Sequence, residues 1–262
     1  MRQRHATDAT AGAAAAAPGA AVWLDVRLET VEENLALDEA LLEEAHEGLT
    51  TAPVVRTWMA DGPVVVVGSS SRIEEEVDVD ACAAVGARIV RRPSGGLTVV
   101  LGPGCLMWTV VVPHPEGAPA IEQIHARMLD PLCAALSQAG RRVARRGSSD
   151  LVVVTEGGVE RKCSGNALRV RRHGVLYHGT LLDAFDIELI SRVLRHPPRE
   201  PGYRARRPHA EFLTNLQLGR EPLEAAVRQA FATACLRSTW PRERVARLLE
   251  ERYHRDDWTR RL

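Results

Sequence analysis

Lysine is almost missing from this chain. Of 34 lysine and arginine residues in 262, only Lys162 is a lysine. Arginine serves solubility and surface pairing equally well, but it does not replace a compact ammonium with three rotatable donors. Lys162 therefore marks a position where that difference matters, with chance survival as the plainer alternative. Net charge is missing too: 34 acidic residues balance the 34 basic ones. Bulk charge thus gives no reason to expect a nucleic-acid or membrane partner. No apolar run approaches the about 20 residues that span a bilayer. The five cysteines, Cys82, Cys105, Cys133, Cys163 and Cys235, are odd in number, widely spaced and form no CxxC pair. That argues against a zinc site or a disulfide framework and for free thiols in a reducing, cytoplasmic setting.

What is present is enough for one large domain, with 45% apolar residues. Residues 1–20 are basic and Ala-rich. The polar HATDAT stretch interrupts any hydrophobic region, so a disordered tail is expected rather than a signal peptide. Residues 21–29 read as a strand and 31–46 as an amphipathic helix with Leu35, Leu37, Leu41 and Leu42 inward. PVVRTWM and PVVVVGSS read as short buried strands, and DVDACAAVG as a helix capped by Asp78. ARIVRRPSGG runs from strand to loop. LTVVLGPGCLMWTVVVP reads as a hairpin turning at Gly102-Pro103-Gly104. A helix over 119–139 precedes three strands within 150–185, the first two joined at Gly157-Gly158. A short helix over 187–196, a Pro/Arg-rich loop and helices over 221–236 and 241–254 complete the chain. Strands joined by hairpins and flanked by helices predict an α+β fold with a mixed, largely antiparallel sheet rather than a βαβ parallel one.

Four segments carry chemistry. In Arg91-Arg92-Pro93-Ser94-Gly95-Gly96 two guanidiniums abut a glycine pair, which suits an anionic group approached by backbone N–H, although a solvated turn is the simpler reading. Ser148-Ser149-Asp150 precedes an apolar strand, where Asp150 is placed to orient a ligand or hold Mg²⁺ or merely to cap the strand. Arg161-Lys162-Cys163-Ser164-Gly165-Asn166-Ala167 sets the sole lysine beside a second small-residue stretch. Tyr177-His178-Gly179-Thr180 holds a histidine that reads equally as a satisfied structural residue.

In this order the four segments resemble the lipoate–protein ligase A family, related to octanoyltransferases and biotin ligases, over roughly residues 21–258. RKCSGNA is the most specific stretch, and GYRARRPHAEFLTNL and RYHRDDW also fit. The resemblance implies a catalytic domain over 21–216 and a short helical extension over 217–262. It implies that Lys162 contacts the carboxylate and phosphate of an acyl-adenylate. Arg91, Ser94, Gly95 and Gly96 would line the ligand loop, with the acyl chain along Val99 and Val100. Asp150 would sit at the adenylate or metal end, and Ser164, Gly165, Ala167, His178 and Gly179 would complete the wall. The chain departs from the commoner ligase loop at Leu97, at Leu101-Gly102 and at Cys105, which leaves nucleotide contacts near the turn open.

The activity implied is ligation of lipoate or octanoate to a lysine of a lipoyl domain, with ATP and Mg²⁺ as co-substrates and no tightly bound metal. The acceptors would be apo lipoyl domains of 2-oxoacid dehydrogenases or the glycine cleavage H protein. An acyl carrier protein or an accessory ligase chain are further partners. Two alternatives stay open. One is ATP-independent acyl transfer from a carrier-protein or lipoyl-protein donor; cysteine-using relatives carry their nucleophile before the Asp-Leu strand, where this chain has Ser148-Ser149, so the candidate here would be Cys163, whose pKa the adjacent Lys162 could lower, although neighbours on a strand face opposite ways. The other is a lipoate-binding homologue without turnover. Arg141-Arg142, Arg145-Arg146 and the Arg169–Arg172 run offer a basic face for an acidic partner domain, or a solvated surface.

Overall fold

A computed structural model describes residues 20–262; the tail expected over residues 1–20 lies, save for its last residue, outside the described residues. The strands are β1 (Ala21–Leu24), β2 (Val54–Trp58), β3 (Val64–Val67), β4 (Arg88–Arg91), β5 (Val99–Leu101), β6 (Cys105–Pro113), β7 (Val143–Arg146), β8 (Asp150–Val154), β9 (Glu160–Arg171), β10 (Gly174–Leu182) and β11 (Thr233–Arg237). The helices are α1 (Val31–His46), α2 (Ile73–Glu76), α3 (Val79–Ala84), α4 (Ile121–Gln138), α5 (Ile187–Val193), α6 (His209–Phe212), α7 (Arg220–Ala230), α8 (Arg242–Leu248) and α9 (Asp256–Thr259).

Eight strands form the main sheet in the order β11-β1-β2-β6-β10-β9-β8-β7. It is mixed: β1 runs parallel to β11 and β2, and the remaining neighbours pair antiparallel. A small sheet, β4-β3-β5, lies apart. The α+β class expected from the sequence is the class observed. The small sheet, α1 and α8 share one core with one face of the main sheet, while α4 and α7 pack with Leu106, Trp108 and Tyr177 on the other. The period of two in β6 sorts its residues this way: Met107 and Val111 face α1, and Leu106, Trp108 and Val110 face α4.

Helix α1 starts where Thr30 and Glu33 form a capping box, each side chain accepting from the other's backbone N–H. Asp78 caps α3 by accepting from Ala81 N, as expected. Two expectations fail. The Gly102-Pro103-Gly104 turn does not close a hairpin: β5 pairs with β3 in the small sheet, and β6 pairs with β2 and β10 in the large one. The turn carries the chain from one sheet to the other. The helix expected over 221–236 ends at Ala230, and Thr233–Arg237 form β11, which extends the main sheet beside β1. The C-terminal extension is therefore not purely helical. No helix among the described residues is long and apolar enough to cross a membrane.

Candidate active site

Register brings distant residues into one row. Arg56 on β2 pairs with Thr109 on β6, Thr109 with His178 on β10, and His178 with Ala167 on β9. Asp38 of α1 settles over this row. Its Oδ1 accepts from Arg56 Nη1 at 2.8 Å, and its Oδ2 accepts from Thr109 Oγ1 at 2.9 Å and faces His178 Nδ1 at 3.2 Å. Burial alone would raise the Asp38 pKa, but the His178 hydrogen bond and the Arg56 charge outweigh it and hold the carboxyl below its ordinary value. The chain continues outward: His178 Nε2 lies 2.6 Å from Ser94 Oγ, which also accepts from Arg92 Nε at 3.0 Å. Because the Asp38 carboxylate only accepts, Nδ1 carries the proton that points to it, and Nε2 of the neutral ring then accepts the Ser94 hydroxyl proton. This network pins the glycine loop between β4 and β5 onto the main sheet.

A bulge decides what else faces the loop. On β8, Leu151 pairs with Ser164 and Val152 with Lys162, so Cys163 is an extra residue on β9. Without it, Lys162 and Gly165, three apart, would point to opposite faces. With it, Lys162, Gly165 and Ala167 share the face toward the glycine loop, while Cys163 turns into the core beneath α4. Glycine at 165 leaves room for the lysine: a Cβ there would lie 3.0 Å from Lys162 Nζ and 3.1 Å from Cε, so the side chain would have to shift. At Gly179 a Cβ would sit 1.7 Å from Asn166 Oδ1. The space is used by the Asn166 carboxamide, which donates to Ser149 O at 2.7 Å and so ties down the segment before Asp150.

Two adjoining cavities result. The inner one, ≈ 470 Å³, is walled by Leu35, Val66, Arg92, Met107, Ala167 and His178. The outer one, ≈ 790 Å³, lies between Glu76, Val100, Lys162, Arg199, His209 and Phe212. Leu97, Val99, Gly165 and Thr180 border both. Lys162 Nζ pairs with Asp150 Oδ1 at 2.7 Å, and Tyr203 Oη donates to Asp150 Oδ2 at 2.8 Å. Burial holds the Arg92 guanidinium down at about 10, so it remains a cation at neutral pH.

Of the residues expected from the sequence, the structure brings Lys162, Val99, Gly96, Gly165, Ala167, His178 and Gly179 to these cavities. Arg91 is corrected: its buried guanidinium donates to Gly68 O, Ser71 O and Thr259 O, joining the loop to α9, and its neighbour Arg92 takes the cavity wall. Ser94, Gly95 and Ser164 stand behind the wall. Ser94 holds His178, Gly95 O accepts from Arg92, and Ser164 Oγ bonds Asn166. Asp150 accepts from Lys162 with one oxygen and from Tyr203 with the other, and no cluster of three acidic, His or Cys residues fit for a metal occurs among the described residues.

Cys163 is corrected as a nucleophile. It is fully buried, its thiol donates to Leu151 O, and burial pushes its pKa up to about 12. No cysteine borders either cavity. Of the basic segments, Arg145 pairs with Glu122, Arg146 with Glu160 and Arg169 with Glu39, which leaves Arg141, Arg142, Arg171 and Arg172 without an acidic partner among the described residues; Arg141 instead donates to Leu216 O and Gln217 Oε1. Sequence reasoning missed Asp38, Arg56 and Tyr203. The first two emerge only from strand register, and Tyr203 lies in a loop without periodicity.

The mixed, largely antiparallel sheet flanked by helices is the fold of lipoate ligases, and on it a glycine loop pinned to a buried histidine lies near one lysine on a cavity wall. Residues 30–236 match the lipoyl protein ligase A/B catalytic domain model, and the chain belongs to that family. It is 28% identical over 261 residues to octanoyltransferase LipM of Kyrpidia tusciae, covering 87% of this chain and 94% of the relative. It is 30% identical over 187 residues to octanoyltransferase LipM of Carboxydothermus hydrogenoformans, covering 66% and 69%. In fold it is similar to a lipoate–protein ligase A solved with ATP (TM-score 0.76, 20% identity, 92% of this chain and 98% of that one). It is likewise similar to a chain of the bi-partite lipoate protein ligase of Thermoplasma acidophilum (TM-score 0.75, 22% identity, 92% and 96%).

Proposed function

We propose that the chain attaches a lipoyl or octanoyl group to a specific lysine of a lipoyl domain by way of an acyl-adenylate. The observation that carries this reading is the site of Lys162: the chain's one lysine stands on the wall of the outer cavity beside Gly165, which borders both cavities, with no thiol lining either. The acyl chain lies inward along Val99, Ala167 and Met107. Its carboxylate reaches Lys162 and attacks the α-phosphorus of ATP in the outer cavity, and pyrophosphate leaves. The reacting groups are both anionic, and Lys162 offsets their repulsion. The amine of the acceptor lysine then attacks the acyl carbonyl, loses a proton and expels AMP. Mg²⁺ enters with the nucleotide phosphates as part of the substrate. The solved relatives described with ATP and with an E2 lipoyl domain support this assignment of co-substrate and acceptor, and the bi-partite one supports an accessory chain.

The LipM relatives favour a second reading, direct transfer from an octanoyl carrier protein. Here the acceptor amine attacks the donor thioester itself, because Cys163 is inaccessible; the amide forms, the C–S bond breaks, and the carrier leaves as its thiol with the proton that the amine loses. One experiment separates the two. The protein is incubated with an apo lipoyl domain and either lipoate plus Mg-ATP or octanoyl carrier protein, and the domain is weighed. We expect modification with ATP. Modification from the carrier protein alone reverses the order, and binding of lipoate without modification in either case points to a non-catalytic homologue.

A further inference from the structure

We infer that Tyr203 is a positioning residue for Lys162, acting through Asp150. The inference rests on the reading of Lys162 as the carboxylate-binding cation. An ammonium on four methylenes has no fixed place of its own, and ordering such a side chain costs up to about 2 kcal/mol of rotamer freedom. Two features set it here. Gly165 leaves the space across which the stem lies. Asp150 Oδ1 holds Nζ at 2.7 Å. A carboxylate with a single partner can turn about its last bond and carry that partner with it. Asp150 cannot, because Tyr203 Oη donates to its other oxygen at 2.8 Å.

Tyr203 is itself fixed on three sides. It belongs to the short helical turn Gly202–Arg204, its ring packs tilted against Phe212 with centroids 5.3 Å apart, and its carbonyl accepts from Arg207 Nη2 at 2.9 Å. Arg204 and Arg207 both cover the Phe212 ring, and Arg207 also donates to Glu160 O on β9. Behind Asp150, Arg146 is neutralised by Glu160, so it does not compete for the carboxylate. Burial and the neighbouring Asp150 charge push the phenol pKa well up, which keeps Tyr203 the donor at every working pH. The loop over residues 195–208, which walls the outer cavity with Pro197, Arg199 and Pro201, thus sets the place of the one lysine across the cleft.

Because Lys162 is the only lysine in the chain, its behaviour is read directly. Lipoate binding is titrated calorimetrically, and the rate of Lys162 acetylation by acetic anhydride is followed by peptide mass, for wild type, Tyr203→Phe, Asp150→Asn and the double variant. Tyr203→Phe keeps the ring on Phe212 and removes only the hydroxyl. Losing a hydrogen bond to a charged group should weaken lipoate binding about tenfold and speed acetylation by a similar factor. In the Asp150→Asn background the same change should alter neither. Equal losses in both backgrounds would mean that Tyr203 acts by packing its loop, and no change in either would remove it from the site; both outcomes overturn the inference. Should the wild type bind no lipoate, the reading of the acyl site fails, and the acetylation rates alone decide the relay.

Discussion

Asp38 and Arg56 form an ion pair of 2.8 Å in which neither side chain reaches solvent. Asp38 is the point where α1, three strands and, through His178, the glycine loop meet. Removing one partner leaves the other charge buried and unmatched. Asp38→Ala should therefore cost about 3–5 kcal/mol, far more than an exposed pair would. Urea denaturation checks this; a loss under 1 kcal/mol would show that Arg56 finds water or another partner.

Lys162 should not tolerate the residue that fills every other basic position. Arginine is larger, and its planar fork does not fit beneath a glycine whose missing Cβ lies 3.0 Å from Nζ. Lys162→Arg and Lys162→Ala should each lower acyl transfer about a hundredfold or more with an unchanged melting temperature. Full activity in the arginine variant would make the lone lysine an accident of composition.

Gly165→Ala and Gly179→Ala make a contrasting pair. At 165 the new methyl meets the flexible tip of Lys162, so the fold should hold while substrate KM rises. At 179 it meets Asn166 Oδ1 at 1.7 Å, in a packed interior. That variant should lose about 1–3 kcal/mol, the usual cost of overpacking. Thermal melts beside kinetics separate the two, and similar behaviour of both variants would contradict the placement of Lys162 over Gly165.

The sequence reveals Lys162 because its signal is compositional, and the strands around it because their alternation is local. It does not reveal that Cys163 is an extra residue, since a bulge arises from a pairing mismatch between two strands and leaves no mark in either. Arg91 and Arg92 look alike as neighbours. Only the strand's alternation sends one toward α9 and the other to the cavity. The β5–β6 turn reads as a hairpin because Gly102-Pro103-Gly104 favours a turn whether or not the flanking strands pair. The Asp38 row is a matter of register among β2, β6 and β10, which are separated by tens of residues in the chain.

Cys163→Ala should leave turnover unaltered in both ATP-driven and carrier-driven assays. With the thiol pKa pushed up to about 12 by burial, thiolate is scarce at neutral pH, and Cys105, at about 12, and Cys133, at about 11, behave alike. Iodoacetamide at pH 8 should accordingly spare activity. An acyl thioester trapped on Cys163 would require β9 to open, and would restore the thiol route.

His209, at the start of α6 on the wall of the outer cavity, gives the site an acid limit. Burial, and then the Arg204 charge, hold its pKa down at about 4, against an ordinary 6.5. A base with a depressed folded pKa binds fewer protons folded than unfolded. Its contribution is therefore fully present above pH 6.5 and is lost as pH falls toward 4. Protonation places a second cation beside Arg204 and loosens the segment that carries Phe212 and Leu213. Leu213 bridges to Lys162, and Thr214 N donates to Lys162 O at 2.9 Å, so activity should fade with stability over the same interval. His209→Gln, which carries no proton in this range, should flatten the stability profile between pH 6.5 and 4. An identical acid slope in wild type and variant would assign that limit to other groups.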